Sequence, residues 1–247
     1  VRGRCRILNP SSQKWRQLMT DSHYHSCACG SLGCEDCRSQ TQQSFAIAVM
    51  EAFADFQQPV LLNLIPPDSR IDDKDLQNTN LLAQTQRLRK ILATGLPADC
   101  LFAGALDLSL NVFENREGYW SHHYHGVLSR KLVTSELWSL KRAFPRVPDL
   151  DVFKPIVQKR ITRTELRSTA EYCYKRYFTR RSSFIANPNS RRAPYRDSRD
   201  QALSVKEDAR LQAALQENGV LDPIVLIGLK RKRTSIPTEV RFMRTRK

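Results

Sequence analysis

Three of the chain's five histidines fall at positions 122, 123 and 125, inside the segment WSHHYHGVL at 120–128. In an extended backbone successive side chains alternate between faces, so His123 and His125 project to one side and His122 to the other. Tyr124 and Val127 favour that backbone, and Gly126 allows a close approach. Two neutral imidazoles side by side suit a divalent-metal clip. The bland alternative is a polar strand end with incidental histidines. His122, on the opposite face, is expected as a surface or structural histidine rather than a ligand.

A second group with ligand chemistry is Cys27, Cys29, Cys34 and Cys37, spaced C-x-C-x4-C-x2-C, whereas Cys5, Cys100 and Cys173 are scattered. Four thiols this close pair poorly as two unstrained disulfides but suit one tetrahedral zinc on a knuckle, with Gly30 and Gly33 supplying permissive backbone. A redox disulfide is the competing reading, and His23 or His25 could replace one cysteine as ligand. Thiols held for a metal imply a reducing compartment.

The third group is Glu171-Tyr172-Cys173-Tyr174-Lys175-Arg176-Tyr177. On a helix starting near residue 164, Leu166, Ala170, Cys173 and Tyr177 share one stripe with Tyr174 beside it, so both of those tyrosines read as core aromatics. Tyr172 and Lys175 share a different face, and Arg176 adds a second positive charge four residues after Tyr172. Nearby cations favour the phenolate and hence a nucleophilic tyrosine. Without Tyr172 beside it, Lys175 would read as a solvated helix lysine.

The elements that must position these groups are read from periodicity. A helix is expected over 42–56, a buried strand over 60–65 closed by Pro66-Pro67, and an amphipathic helix over 80–93. Residues 100–111 alternate, with Ala105, Asp107 and Ser109 on the polar face, and a turn at 115–118 leads into 119–128, making a hairpin. A helix over 135–144, a strand near 152–161 and a helix over 164–178 follow. The fold class expected is α+β. Residues 192–199 read as a loop, 204–216 as a helix and 224–229 as a strand. The divisions expected are a knuckle segment at 1–41, a central domain at 42–180 and a basic C-terminal extension at 181–247.

Lys and Arg number 40 against 25 Asp and Glu, a net charge of +15, which points to a polyanionic partner such as nucleic acid. Residues 179–247 carry 16 basic against 7 acidic residues, with clusters at Arg180-Arg181, Arg191-Arg192 and 230–233. They read as a phosphate-tracking surface, the alternative being a solvated basic tail. No apolar run of about 18 residues exists, so no membrane span is expected, and the first twenty residues do not read as a signal peptide.

The order of an apolar strand ending in prolines (VLLNLIPP, 60–67), then His123-Tyr124-His125, then Tyr172-x-x-Lys175 resembles the HUH endonuclease superfamily, and within it the rolling-circle replication initiators of plasmids and phages. The resemblance covers roughly 60–178. It implies a five-stranded antiparallel sheet flanked by helices, with the paired histidines on a central strand and the tyrosine on an adjacent helix. The implied activity is sequence-specific nicking and joining of single-stranded DNA through a 5′-phosphotyrosine. A Mg²⁺ or Mn²⁺ ion on His123 and His125 is implied, completed by an oxygen ligand. Asp107 is the first choice for that ligand, with Glu114 and Glu117 as alternatives. Tyr172 is the implied nucleophile, with Lys175 stabilising charge beside it. DNA contacts are expected from Arg176, Arg180, Arg181 and Asn63, although the family often has threonines on the strand where Asn63 stands. A second nucleophile spaced Y-x3-Y would fall on Arg176, so the resemblance is to a single-tyrosine enzyme. The implied partners are single-stranded or hairpin origin DNA and a host helicase, in a bacterial cytoplasm. Three alternatives stay open: a single-tyrosine transposase or relaxase, a hydrolytic metal-dependent nuclease, and a non-catalytic zinc-containing nucleic-acid-binding protein.

Overall fold

In the computed structural model, residues 29–113, 117–148, 152, 154–186 and 195–245 are described. The first described residues, from Cys29, lead at once into α1 (Glu35–Ala52), whose first turn carries Glu35 and Asp36 at the positive end of the helix dipole. This helix begins before the expected 42–56 segment because the knuckle feeds directly into it.

Next come β1 (Val60–Leu64), the short β2 (Arg70–Ile71), a 3₁₀ turn (Asp73–Asn78) and α2 (Leu81–Gly95). Asn80 caps α2 by accepting a hydrogen bond from the Ala83 amide. The hairpin of β3 (Phe102–Phe113) and β4 (Tyr119–Leu128) follows, then α3 (Thr134–Ala143), β5 (Ile156–Arg160) and α4 (Leu166–Cys173). The C-terminal part adds β6 (Thr179–Ala186), β7 (Tyr195–Ala202), α5 (Val205–Leu215), β8 (Ile224–Ile227), β9 (Leu229–Arg231) and β10 (Phe242–Arg244).

The architecture is α+β, but the main sheet has eight strands and is not the expected five-stranded antiparallel one. Its centre is the order β5-β1-β4-β3, antiparallel throughout, with α2 connecting β1 to β3 and α3 connecting β4 to β5. That is a doubled split β-α-β unit. The long hairpin then outreaches its neighbours. β8 pairs with the first part of β3 at Phe102–Ala105, and β6 pairs in parallel with its last part at Ser109–Phe113. On the other side β2 extends the edge of β4 beyond β1.

Two further expectations are corrected. Residues 192–199 were expected as a loop, yet β7 pairs with β6 through eight successive positions from Thr179↔Ala202 to Ala186↔Tyr195, its charge answered across the strands by Arg181 and Asp200. The boundary expected at 180/181 therefore falls inside β6, a strand of the main sheet. The helix expected over 164–178 stops at Cys173, because Tyr174 leaves helical geometry and buries its ring, its hydroxyl donating to the Val220 carbonyl at 2.6 Å. Tyr177, read as core, is half exposed.

The two sheet faces are covered differently. On one face, Leu88 and Ile91 of α2, Phe144 after α3 and Tyr124 line a common cavity. On the other, α4 packs against β4, and α1 packs on α4. Among the described residues no helix is long and apolar enough to cross a membrane.

A candidate metal and tyrosine site

Register brings the site together. Asp107 lies directly opposite His123, and His125 lies opposite Ala105 on one side and Asn63 on the other. Cross-strand partners share a face, so Asp107, His123, His125 and Asn63 project to the same side of the sheet. Gly126 and Gly104 allow this close stacking: a Cβ on Gly126 would come within 2.3 Å of the Phe102 ring and one on Gly104 within 2.5 Å of the His125 carbonyl.

The three ligand candidates are buried, and their donor atoms lie within 4.8 Å of one another. His123 Nε2 is 2.9 Å and His125 Nε2 is 3.4 Å from Asp107 Oδ2. These distances are short, yet neither histidine contact is aligned as a hydrogen bond to the carboxylate. His125 Nδ1 is 2.7 Å from Asn63 Oδ1; with the amide oxygen in that position Nδ1 is the donor, which leaves the Nε2 lone pair toward the carboxylate. Burial pulls the His125 imidazole down to about 4, against the opposing pull of Asp107, so it is neutral at neutral pH. A lone pair aimed at a carboxylate inside a buried pocket is repulsive unless a cation lies between them. The donor set therefore fits a divalent metal, with Asn63 fixing the tautomer of one ligand.

A cation does reach the carboxylate. Lys175 Nζ is 2.7 Å from Asp107 Oδ2. Burial would lower the Lys175 ammonium, but Asp107 outweighs it and the group stays charged. Burial would likewise raise the Asp107 carboxyl, but His123 and Lys175 beside it hold it well below the usual carboxylate range. Tyr172 completes the cluster: its ring centroid is 4.6 Å from that of His125, and Lys175 Nζ lies 4.8 Å from the ring centre. Tyr172 is 41% exposed, so it borders both the buried ligands and solvent.

The expectation that cations lower the Tyr172 phenol is corrected. Burial raises it, Asp107 adds to that rise, and Lys175 and Arg181 oppose it without winning. The other predicted residues fall as follows. Asn63 orients His125. Arg176 stands beyond the helix end, exposed, with its guanidinium 4.4 Å from the Tyr177 ring centre. Arg180 pairs with Glu207 at 3.1 Å and Arg181 with Asp200 at 2.9 Å. Glu117 is exposed and is not in the ligand group, and Glu114 lies outside the described residues. His122 lies on the opposite face as expected and is buried, in line with the structural rather than the surface alternative.

In the knuckle, Cys29, Cys34 and Cys37 converge as a second group able to hold a metal, whereas Cys27, His23 and His25 lie outside the described residues. A hydrogen bond from Cys37 lowers the Cys34 thiol, while the same contact and burial push Cys37 up. The knuckle is docked, not free: the Leu32 amide donates to the Asn218 carbonyl at 2.8 Å, and a Cβ on Gly33 would lie 2.6 Å from the Gln212 carbonyl of α5.

Comparison of the chain with protein-family models, with curated proteins and with solved structures returns no match.

Proposed function

We propose that the chain is a metal-assisted, sequence-specific nicking and joining enzyme for single-stranded DNA, with Tyr172 as nucleophile. The observation that carries this reading is one juxtaposition: a part-exposed tyrosine ring 4.6 Å from the ring of a buried histidine whose free nitrogen faces a carboxylate. Paired histidines on a central strand and a tyrosine on the helix packed against it also agree with the resemblance to HUH endonucleases.

In the reaction proposed, Tyr172 Oη attacks the scissile phosphorus and gives up its proton. The bond from phosphorus to the 3′-oxygen breaks, that oxygen takes up a proton, and the 5′-phosphate remains on Tyr172. Reversal by an incoming 3′-hydroxyl rejoins a strand with no nucleotide cofactor. Mg²⁺ or Mn²⁺ on Asp107, His123 and His125 would polarise the phosphate oxygens as a Lewis acid. Asn63 holds His125 in its ligating tautomer. Lys175 supplies positive charge beside the Tyr172 ring, which a raised phenol needs. Zn²⁺ on Cys29, Cys34 and Cys37 would be structural. The net charge of +15 suits a DNA partner. Initiation of rolling-circle replication with a host helicase is the biological setting this reading favours; a transposase or relaxase would use the same chemistry.

The test is incubation with short single-stranded or hairpin DNA and Mn²⁺. A denaturation-resistant protein–DNA adduct that disappears in Tyr172→Phe supports the proposal. Cleavage that survives Tyr172→Phe assigns the attack to water, and tight binding with neither cleavage nor adduct leaves a non-catalytic binding protein.

A further inference from the structure

The geometry points to Arg38, on α1, as a positioning residue for the segment that bears Tyr172 and Lys175, an inference that rests on the reading of Tyr172 as nucleophile. Arg38 is 2% exposed. Its Nε donates to the Arg176 carbonyl at 2.7 Å, its Nη1 donates to the Leu32 carbonyl at 2.8 Å, and its guanidinium lies 5.2 Å from the Phe178 ring centre. One turn along α1, Gln42 Nε2 donates to the Glu171 carbonyl at 2.8 Å.

These contacts bracket the site. Glu171 precedes Tyr172, and Arg176 follows Lys175. The last carbonyls of a helix have no partner within it, and α4 ends at Cys173, so the chain from 171 to 176 depends on donors from elsewhere. Helix α1 provides two of them. Burying a guanidinium is costly, and Arg38 spends its donors on main-chain oxygens of two separate segments, the knuckle and the tyrosine segment. A planar fork spans such a pair, whereas an ammonium is a single point. Because Lys175 Nζ must meet Asp107 at 2.7 Å while Tyr172 stays against His125, a small shift of 171–176 disturbs both at once. Misplacement by about 1 Å can cost a reaction on the order of a hundredfold. The Arg38 side chain donates to the Arg176 and Leu32 carbonyls and not to Asp107, His123 or His125, so its loss acts through the nucleophile segment.

The experiment compares wild type with Arg38→Lys and with Gln42→Ala, a half-buried position where folding is less at risk. Adduct formation at saturating DNA is expected to slow by about tenfold or more. The DNA concentration for half-maximal rate and Mn²⁺ binding should change less than about twofold, and the amides of 172–178 should exchange hydrogen faster. Adduct rate and exchange both unchanged in the two folded variants would overturn the inference. So would a parallel loss of Mn²⁺ binding, which marks a general structural defect. If wild type itself forms no adduct that depends on Tyr172, the nucleophile reading fails by itself. Exchange at 172–178 and acetylation of Tyr172 by N-acetylimidazole then decide: faster exchange and altered acetylation with Mn²⁺ binding intact support the positioning role, and no change refutes it.

Discussion

Lys175 decides how Asp107 is neutralised. Its ammonium sits 2.7 Å from an oxygen that also faces His123 and His125, so a divalent ion entering the cluster meets a resident positive charge. Lys175→Met is therefore expected to tighten Mn²⁺ binding by roughly tenfold, while slowing adduct formation at saturating Mn²⁺ by about tenfold or more. A Mn²⁺ titration followed by electron paramagnetic resonance, beside an adduct time course, separates the two effects; weaker Mn²⁺ binding would contradict the competition. His122 makes a different prediction. It is buried on the opposite face with neither ring nitrogen hydrogen-bonded, and burial pulls its imidazole down to about 4. The unfolded chain takes up a proton as pH falls through about 6.5, but the native state does not until about 4. Stability from this group is thus fully present above pH 6.5 and is lost toward pH 4, at about 1.4 kcal/mol per pH unit at most. His122→Leu removes that loss and two unpaired nitrogens, so the variant should be more stable at pH 7 by about 1 kcal/mol and its margin over wild type should widen at pH 5. Urea melts in metal-free buffer at the two pH values measure it, and a margin that does not widen sinks the assignment.

Alternation at His123 and His125 was legible because strand geometry has period two and the motif lies within one strand. The partner of His125 was not, because Asn63 meets it only through the pairing of β1 with β4, some sixty positions apart in sequence. Lys175 was legible for an incomplete reason. A helical wheel sets it with Tyr172, yet α4 ends at Cys173, and Lys175 arrives through the bend that buries Tyr174. Tyr177 shows the cost of the same assumption, since a stripe extrapolated past the helix end has no meaning. At this scale the weak point of the site is the backbone stacking under it. In Gly126→Ala the new methyl would meet the Phe102 ring at 2.3 Å and Gly104 Cα at 3.0 Å. Destabilisation by about 1–3 kcal/mol is expected, with weaker Mn²⁺ binding because β4 must shift with its histidines. Adding Phe102→Leu relieves the ring contact but not the backbone one, so the double variant should recover part of both losses. Full Mn²⁺ affinity in Gly126→Ala alone would show that the ligands tolerate the shift.

The distribution of charge along the sequence suggested a core domain with a basic extension, but charge reports on surfaces and is silent on pairing. The C-terminal part supplies β8 to the edge of β3 at Phe102–Ala105, directly behind the strand that holds Asp107. It also supplies Leu211, Leu215, Val220 and Val225 to the core, and the carbonyl that anchors Tyr174. Through Asn218 and Gln212 it holds the knuckle from which α1 starts. The knuckle, the tyrosine segment and the C-terminal part are thus joined around Val220, whose amide donates to Gly30 at 2.8 Å and whose carbonyl receives Tyr174. A fragment of residues 29–180 loses all of these and leaves part of β3 as an unpaired apolar edge. It is expected to aggregate or to lose cooperative unfolding, whereas residues 29–245 should unfold in one transition with Mn²⁺ raising its midpoint. Circular dichroism melts of both, with and without Mn²⁺, test this. A fragment 29–180 that melts cooperatively and is stabilised by Mn²⁺ as strongly as the longer chain would mean that the metal and tyrosine site is built without the C-terminal strands, and that their basic residues are left for the proposed contact with DNA.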